Sequence, residues 1–324
     1  MGLRSAQGAA HLPCGRRGCS GGHVPVLYET VLDCLALGSG DHVVDGTLGG
    51  AGHAAGCLQA TAPDGRLLGL DRDPEALARA RERLAPFGQR AVLVQSSFRE
   101  LKAVAQMYQF FPADGVMLDL GLSSHQLASP ERGFSFIKDG PLDMRFDPGQ
   151  GPTAAELVNT LPIEEIARIL YRYGEERQSR RIAQAIVAAR PLETTRELAG
   201  VIAKAKGRRR GRTHPATKSF QALRIAVNDE LGALESALPQ AVELLRPGRR
   251  LVVISFHSLE DRLVKRFFRR QSQGCICPPG QPVCTCQHQP TLRVVTRRPV
   301  RPDETEIARN PRARSARLRV AERL

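Results

Sequence analysis

A chain of 324 residues, 42% of them apolar, is long enough for about two domains with buried cores, which sets aside disordered and collagen-like classes. Its 47 Lys and Arg against 33 Asp and Glu leave a net charge of +14, an excess suited to a polyanionic partner, nucleic acid first. No run approaches the roughly 18 to 20 consecutive apolar residues of a membrane-spanning helix, so an integral membrane protein is excluded.

The first 22 residues hold Arg4, Arg16 and Arg17 but no carboxylate. They lack the apolar run of a secretory signal and a clear amphipathic stripe, so they read as a disordered extension, with organelle targeting the alternative. From residue 23 short apolar runs alternate with amphipathic stretches, the pattern of an α/β fold on a largely parallel sheet. Val43–Asp45, Leu67–Asp71, Ala91–Gln95 and Gly115–Leu120 are predicted strands, and Pro74–Leu84, with proline in its first turn, is a predicted helix. After Gln126 the texture changes. Residues 129–152 are rich in Pro, Gly and charge, and 153–232 read as several helices without a strand. The earlier style returns with a helix over Glu230–Leu245, a Pro247-Gly248 turn and a strand over Arg250–Phe256. The expected organisation is a Rossmann-like domain over 23–127 and 228–324, interrupted by an inserted helical domain over 128–227. A last strand pair is expected around Thr291–Thr296 and Ala316–Val320.

The segment from Asp45 through Gly46, Thr47, Leu48, Gly49, Gly50, Ala51 and Gly52 to His53 stands where the first strand turns into a helix. Its glycines let backbone approach a ligand closely, and the helix start presents unpaired N–H groups. Asp71 closes the second strand, 71 − 49 = 22 residues after Gly49, where a doubly wound fold places a carboxylate for ribose hydroxyls. A plain turn with Asp71 as a helix cap is the competing reading. The Gly-x-G-x-x-G dinucleotide spacing is not met, which disfavours a nicotinamide enzyme; S-adenosylmethionine has no pyrophosphate and does not need it. Phe98, after the third strand, suits the flank of an adenine, with a core position as the alternative.

Farther along stand Asp119-Leu120-Gly121-Leu122-Ser123-Ser124-His125-Gln126, Glu131-Arg132-Gly133-Phe134-Ser135-Phe136 and Gly140-Pro141-Leu142-Asp143-Met144-Arg145. Tyr173-Gly174-Glu175-Glu176-Arg177, His214-Pro215-Ala216-Thr217, Phe220 to Ile225, Ser255 to Arg262 and Asn310 to Ser315 follow in order. Over roughly residues 23–322 these motifs resemble the bacterial ribosomal RNA small subunit methyltransferase H family, the cytosine-N4 methyltransferases. The resemblance implies a Rossmann-like S-adenosylmethionine-dependent methyltransferase fold with a helical insert. It also implies transfer of a methyl group to the N4 amine of a cytosine in the decoding region of small-subunit (16S) ribosomal RNA. The family's cofactor contacts fall on Ala51, Gly52, His53, Asp71, Phe98, Asp119 and Gln126, the first of these usually glycine. A cytoplasmic enzyme acting on ribosomal RNA or the small subunit is expected, with a homodimer as one option for its assembly.

The residues agree on the type of transfer. C5 methylation of pyrimidines needs a thiolate nucleophile, typically after a proline, and the only Pro-Cys is Pro13-Cys14 in the extension. Attack by an exocyclic amine fits better. The Asn/Asp/Ser-Pro-Pro-aromatic motif of DNA amino-methyltransferases is absent at the fourth strand tip. Asp119 is the first catalytic candidate, to orient the amine or the cofactor, and Asp143 the second, with turn formation as its alternative. His257 and Glu260 follow a strand end that faces ligands in open α/β sheets; a helix cap and surface charge explain them as well. The rival function is a non-enzymatic RNA-binding assembly factor on the same fold.

For RNA, Lys204, Lys206, Arg208, Arg209, Arg210, Arg212 and Lys218 form an acid-free run, and Arg297–Arg323 is a second arginine-dense segment. Phe134, Phe136 and Phe220 are candidates for stacking on an unstacked base. Cys275, Cys277, Cys284 and Cys286 make a zinc site one reading of the late cysteine cluster, although Cys-x-Cys is not the usual spacing. Many members of the resembled family lack the cluster, so any metal there is structural, and no catalytic metal is expected.

Overall fold

The computed structural model describes residues 25–207, 214–278, 280, 281 and 283–324. The extension over 1–22 and Arg208, Arg209, Arg210 and Arg212 lie outside them. Among the described residues, seven strands form one sheet: β1 Val43–Asp45, β2 Leu67–Asp71, β3 Ala91–Gln95, β4 Ala113–Asp119, β5 Leu245–Ser255, β6 Leu292–Val294 and β7 Arg317–Arg323. Their order is β3-β2-β1-β4-β5-β7-β6, with β7 antiparallel to both neighbours and the pairs from β3 to β5 all parallel. After β3 the chain returns to lie beside β1, so the strand order reverses between β1 and β4. Such a switch point opens a crevice at the carboxyl ends of the strands.

Strands buried on both faces explain the apolar runs. Val44, Leu68, Val116, Leu118, Leu251 and Val253 point into one core, and Val43, Leu67, Met117, Val252 and Ile254 into another. The first core is covered by α4 (Leu101–Met107), α11 (Glu230–Leu244) and α12 (Ser258–Gln271), the second by α1 (Tyr28–Leu35), α2 (Gly52–Ala60) and α3 (Pro74–Leu84). Between β4 and β5 run α5 (Ser124–Ala128), α6 (Ala154–Thr160), α7 (Ile163–Gly174), α8 (Ser179–Ala188), α9 (Thr195–Lys206) and α10 (Thr217–Asn228). The helices from α6 to α10 share a third core around Leu170, Ile182, Ile186, Leu198, Ile202 and Leu223. The short α13 (Glu304–Arg309) precedes β7.

β1, β2, β3 and α3 match their predicted spans. β4 spans Ala113–Asp119, against the predicted Gly115–Leu120. The expected Pro247-Gly248 turn falls inside β5, where the pairing with β4 shifts register and Gly248 takes a left-handed φ of 79°. Proline removes a ladder donor, so the strand continues through this point only as an irregularity.

Candidate active site

β1 and β4 are neighbours, and their carboxyl ends bring Asp45 and Asp119 together. Asp45 Oδ1 accepts from Thr47 N at 3.0 Å, and Thr47 Oγ1 in turn accepts from Asp119 N at 2.5 Å. One threonine thus ties the two strand tips. Gly46 sits so close to β4 that a Cβ would lie 2.5 Å from Leu118 Cδ2. Gly49, with φ 50°, donates its N–H to Asp71 Oδ2 at 2.8 Å, while Asp73 N donates to Asp71 Oδ1 at 2.9 Å. The carboxylate of Asp71 is oriented by these bonds, and each oxygen keeps a further lone pair.

The crevice is a cavity of about 350 Å³, within the range of small-molecule sites. Gly52, His53, Asp71, Phe98, Asp119 and Gln126 line it, as do Asp45, Phe146, Asn228, Glu230, Phe256 and Arg312. Burial pushes Asp45 up to about 7, Asp71 to about 6 and Asp119 to about 8, with neighbouring carboxylates adding to each rise. His53 is pushed down to about 4, again by burial, and its Nε2 stands 3.7 Å from Asp119 Oδ2. Asp119 Oδ1 is buried with no hydrogen-bond partner among the described residues. Three crowded carboxylates and an unused acceptor fit a ligand that brings positive charge and hydrogen-bond donors.

Of the residues the sequence singled out, Gly52, His53, Asp71, Phe98, Asp119 and Gln126 converge on this cavity. Gln126 lines it as a strut: its Oε1 accepts from Ser123 N and its Nε2 donates to Asp73 Oδ2, both at 2.9 Å. Ala51 is different. It caps α2 in the left-handed region, φ 56° and ψ 28°, a conformation that glycine adopts freely, and its methyl is buried in the second core rather than lining the cavity.

Asp143 is not among the lining residues. Arg145 grips it through Nε at 2.9 Å and Nη2 at 2.8 Å, and Arg145 N donates to the same carboxylate at 2.9 Å. Despite burial, these bonds hold Asp143 below its ordinary range, and it builds the loop that ends at Phe146. The two catalytic candidates are therefore not brought together.

His257 is the N-cap of α12 in a reciprocal capping box with Glu260. Glu260 is buried rather than a surface charge, and it lines the cavity. Burial opposes its ionisation, but His257, Arg224 and the Phe256 N–H outweigh it and hold the pKa below the ordinary value.

The proposed stacking face is corrected. Phe134 and Phe220 are buried in the third core, and Phe136 packs edge-on against Phe220 at 4.8 Å and beside His214 at 4.6 Å. Burying apolar area among the helices accounts for Phe134 and Phe220, and Phe136 is half-buried against Phe220. The aromatic rings at the cavity are Phe98, Phe146 and Phe256. Asp45, Asn228, Glu230 and Arg312 also went unassigned as site residues. A carboxylate closing the first strand was a visible signal for Asp45. Glu230 is held by Arg224 at 2.7 and 2.9 Å, a pairing between positions six apart across a helix boundary that local pattern does not announce.

A model of the MraW methylase family matches residues 20–324. The "Ribosomal RNA small subunit methyltransferase H" of Thermomicrobium roseum is 57% identical over 305 residues, covering 93% of this chain and 94% of that protein. Its namesakes in Dehalococcoides mccartyi and Geobacter sulfurreducens are 53% and 56% identical; each match covers 93% of this chain, and 86% and 99% of those proteins respectively.

Proposed function

The chain belongs to the MraW methylase family, and from that premise we propose its reaction in full: methylation of the N4 amine of a cytosine in the decoding region of small-subunit ribosomal RNA. It is an S-adenosylmethionine-dependent ribosomal RNA methyltransferase. The donor supplies an electrophilic methyl group on a cationic sulfonium. Asp71 would hold its ribose hydroxyls, Phe98 the adenine, and the glycine turn from Gly46 to Gly52 its amino-acid portion. The cluster of Asp45, Asp71 and Asp119 supplies the negative charge that a sulfonium requires.

The observation that carries the reading is the unpaired Asp119 Oδ1 at the tip of β4. The lone pair of cytosine N4 is delocalised into the ring, so the amine must be held by an acceptor and aimed at the methyl carbon. Asp119 accepts one N4–H. As the N4–carbon bond forms, that proton is surplus, and a carboxylate pushed up to about 8 is a competent acceptor for it near neutral pH. Phe146 and Phe256 offer the base its flat contacts, and Glu230 and Arg312 polar ones.

The helical region from 128 to 227 is the substrate-recognition insert on this reading, and it carries the acid-free basic run. The site of action is the cytoplasm, where small subunits are assembled. Among the described residues no helix is long and apolar enough to cross a membrane. The deciding experiment is transfer of labelled methyl from S-adenosylmethionine to unmodified small subunits, with nucleoside analysis of the product. N4-methylcytidine in the product, lost with Asp71→Ala, supports the reaction and the pocket together. Cofactor binding without transfer to subunits or naked RNA would favour the assembly-factor role.

A further inference from the structure

Residues 272–291 connect α12 to β6, and among the described ones none belongs to a helix or strand. Connections beyond about 12 to 15 residues that lack secondary structure need a reason to hold a shape. The ends of this one are pinned, since Thr291 N donates to Gln271 O and Thr291 Oγ1 to Gln271 Oε1, both at 2.9 Å. Its interior has no apolar anchor: among its described residues none is buried. What the loop does have at its centre is sulfur.

Cys275 and Cys277 meet Cys284 and Cys286 across a turn. The Sγ–Sγ separations are 3.5 Å for Cys275–Cys284, 4.0 Å for Cys277–Cys284, 3.6 Å for Cys284–Cys286 and 3.8 Å for Cys275–Cys286, and all four sulfurs lie within 4.8 Å of one another. A tetrahedron of thiolates around zinc, with Zn–S of about 2.3 Å, has edges of about 3.8 Å. A disulfide would bring two of them to about 2.05 Å, and all four are free cysteines. Backbone donors also point at the sulfurs: Ile276 N–H at Cys286 Sγ, 3.4 Å, and Cys277 N–H at Cys275 Sγ, 3.5 Å. Such bonds disperse thiolate charge in metal sites.

We propose that Cys275, Cys277, Cys284 and Cys286 bind one zinc ion in a closed tetrathiolate site that folds the loop between α12 and β6. Four protein ligands leave no position for substrate, so the ion is structural. The Cys-x-Cys spacing does not weaken this, because the turn between Cys277 and Cys284 brings the two halves face to face.

The test uses the full chain, purified without chelator or a metal-affinity step. Zinc analysis is expected to give one ion per chain, lost in Cys277→Ser/Cys284→Ser and retained in Cys14→Ser/Cys19→Ser. Because the first variant can misfold, wild-type protein is also stripped of metal and titrated with cobalt(II). Intense visible bands and sulfur-to-cobalt charge transfer, displaced by zinc, are expected. A pale octahedral cobalt spectrum, zinc-free protein that regains no ion, or a mass four hydrogens lighter from two disulfides would each overturn the proposal.

Discussion

Arg132 Nη1 donates to Asp73 Oδ2 at 2.9 Å, and the same carboxylate oxygen accepts from Gln126 Nε2 at 2.9 Å. Asp73 is fully buried and caps α3 with its other oxygen, which accepts from Glu75 N at 3.0 Å. Through Nη2 Arg132 also reaches the carbonyls of Arg145 and Phe146, at 3.2 and 2.9 Å. One guanidinium therefore joins the turn that aims Asp71 to the loop that brings Phe146 to the cavity wall.

Removing that guanidinium leaves a buried carboxylate without its counter-ion, a loss that typically costs about 3–5 kcal/mol. Arg132→Met is expected to lower the urea midpoint accordingly, and to weaken methyl transfer in the fraction that stays folded. Lysine is expected to restore little, because a single ammonium cannot serve Asp73 and two carbonyls in one plane. A change in unfolding free energy below about 1 kcal/mol would remove the pair from the account of how the cavity is held.

Asp71→Asn tests the cofactor side. The native carboxylate accepts Gly49 N and Asp73 N on different oxygens, so an amide must turn its NH2 toward one of those donors. Losing charge-assisted bonds of about 1.5–3 kcal/mol predicts S-adenosylmethionine binding roughly 10- to 100-fold weaker by calorimetric titration. Unchanged affinity would place the donor elsewhere in the cavity.

The sheet was legible because doubly buried strands must be short and apolar, as Val43–Asp45 and Leu67–Asp71 are, and because Pro74 marks where α3 begins. The placement of Asp71 and Asp119 at the crevice was legible because strand ends face it in this topology, and that of Phe98 because the turn after β3 opens onto the same edge. Asp143 and the three phenylalanines were not, since a loop acid and an apolar aromatic look alike whether they meet a ligand or a neighbouring side chain. Arg145 settles the first and the packing of α6 to α10 the second. The roles of Arg132 and Gln126 depend on Asp73, reached across 59 and 53 residues, a contact that local pattern does not carry.

Asp119 gives a pH signature with a definite sign. Its folded pKa of about 8 lies above its ordinary value of 3.8, so the folded chain holds this proton more tightly than the unfolded chain does. Stability from this group is full below about pH 4 and is lost as pH rises toward 8. Without the donor, wild type is expected to lose thermal stability relative to Asp119→Asn across that window, and the two to run parallel above it. On the proposed role of Asp119 as proton acceptor, the carboxylate is the form that works in transfer assays, so the wild-type rate is expected to rise over the upper part of the same range. The variant is expected to fold but turn over roughly 100- to 10,000-fold more slowly. A flat stability difference from pH 5 to 9 would contradict the assignment.

The basic run at the end of α9 divides by partner. Lys206 Nζ donates to the buried Glu176 at 2.5 Å and to Pro215 O at 3.1 Å, so it is engaged within the protein. Lys206→Ala is expected to cost stability, because it leaves Glu176 without its cation, and to leave the salt dependence of RNA binding in place. Arg208, Arg209 and Arg210 are expected to do the opposite. If each neutralises one phosphate of single-stranded RNA, reversing all three to glutamate flattens the slope of log affinity against log salt by about 2, at roughly 0.7 per contact. Affinity falls most at low salt, while S-adenosylmethionine binding is unchanged. Filter binding of a decoding-region RNA over a salt series reads the slope directly. An unchanged slope in the triple variant would move phosphate recognition away from this segment, with the arginines from Arg297 to Arg323 the next to reverse.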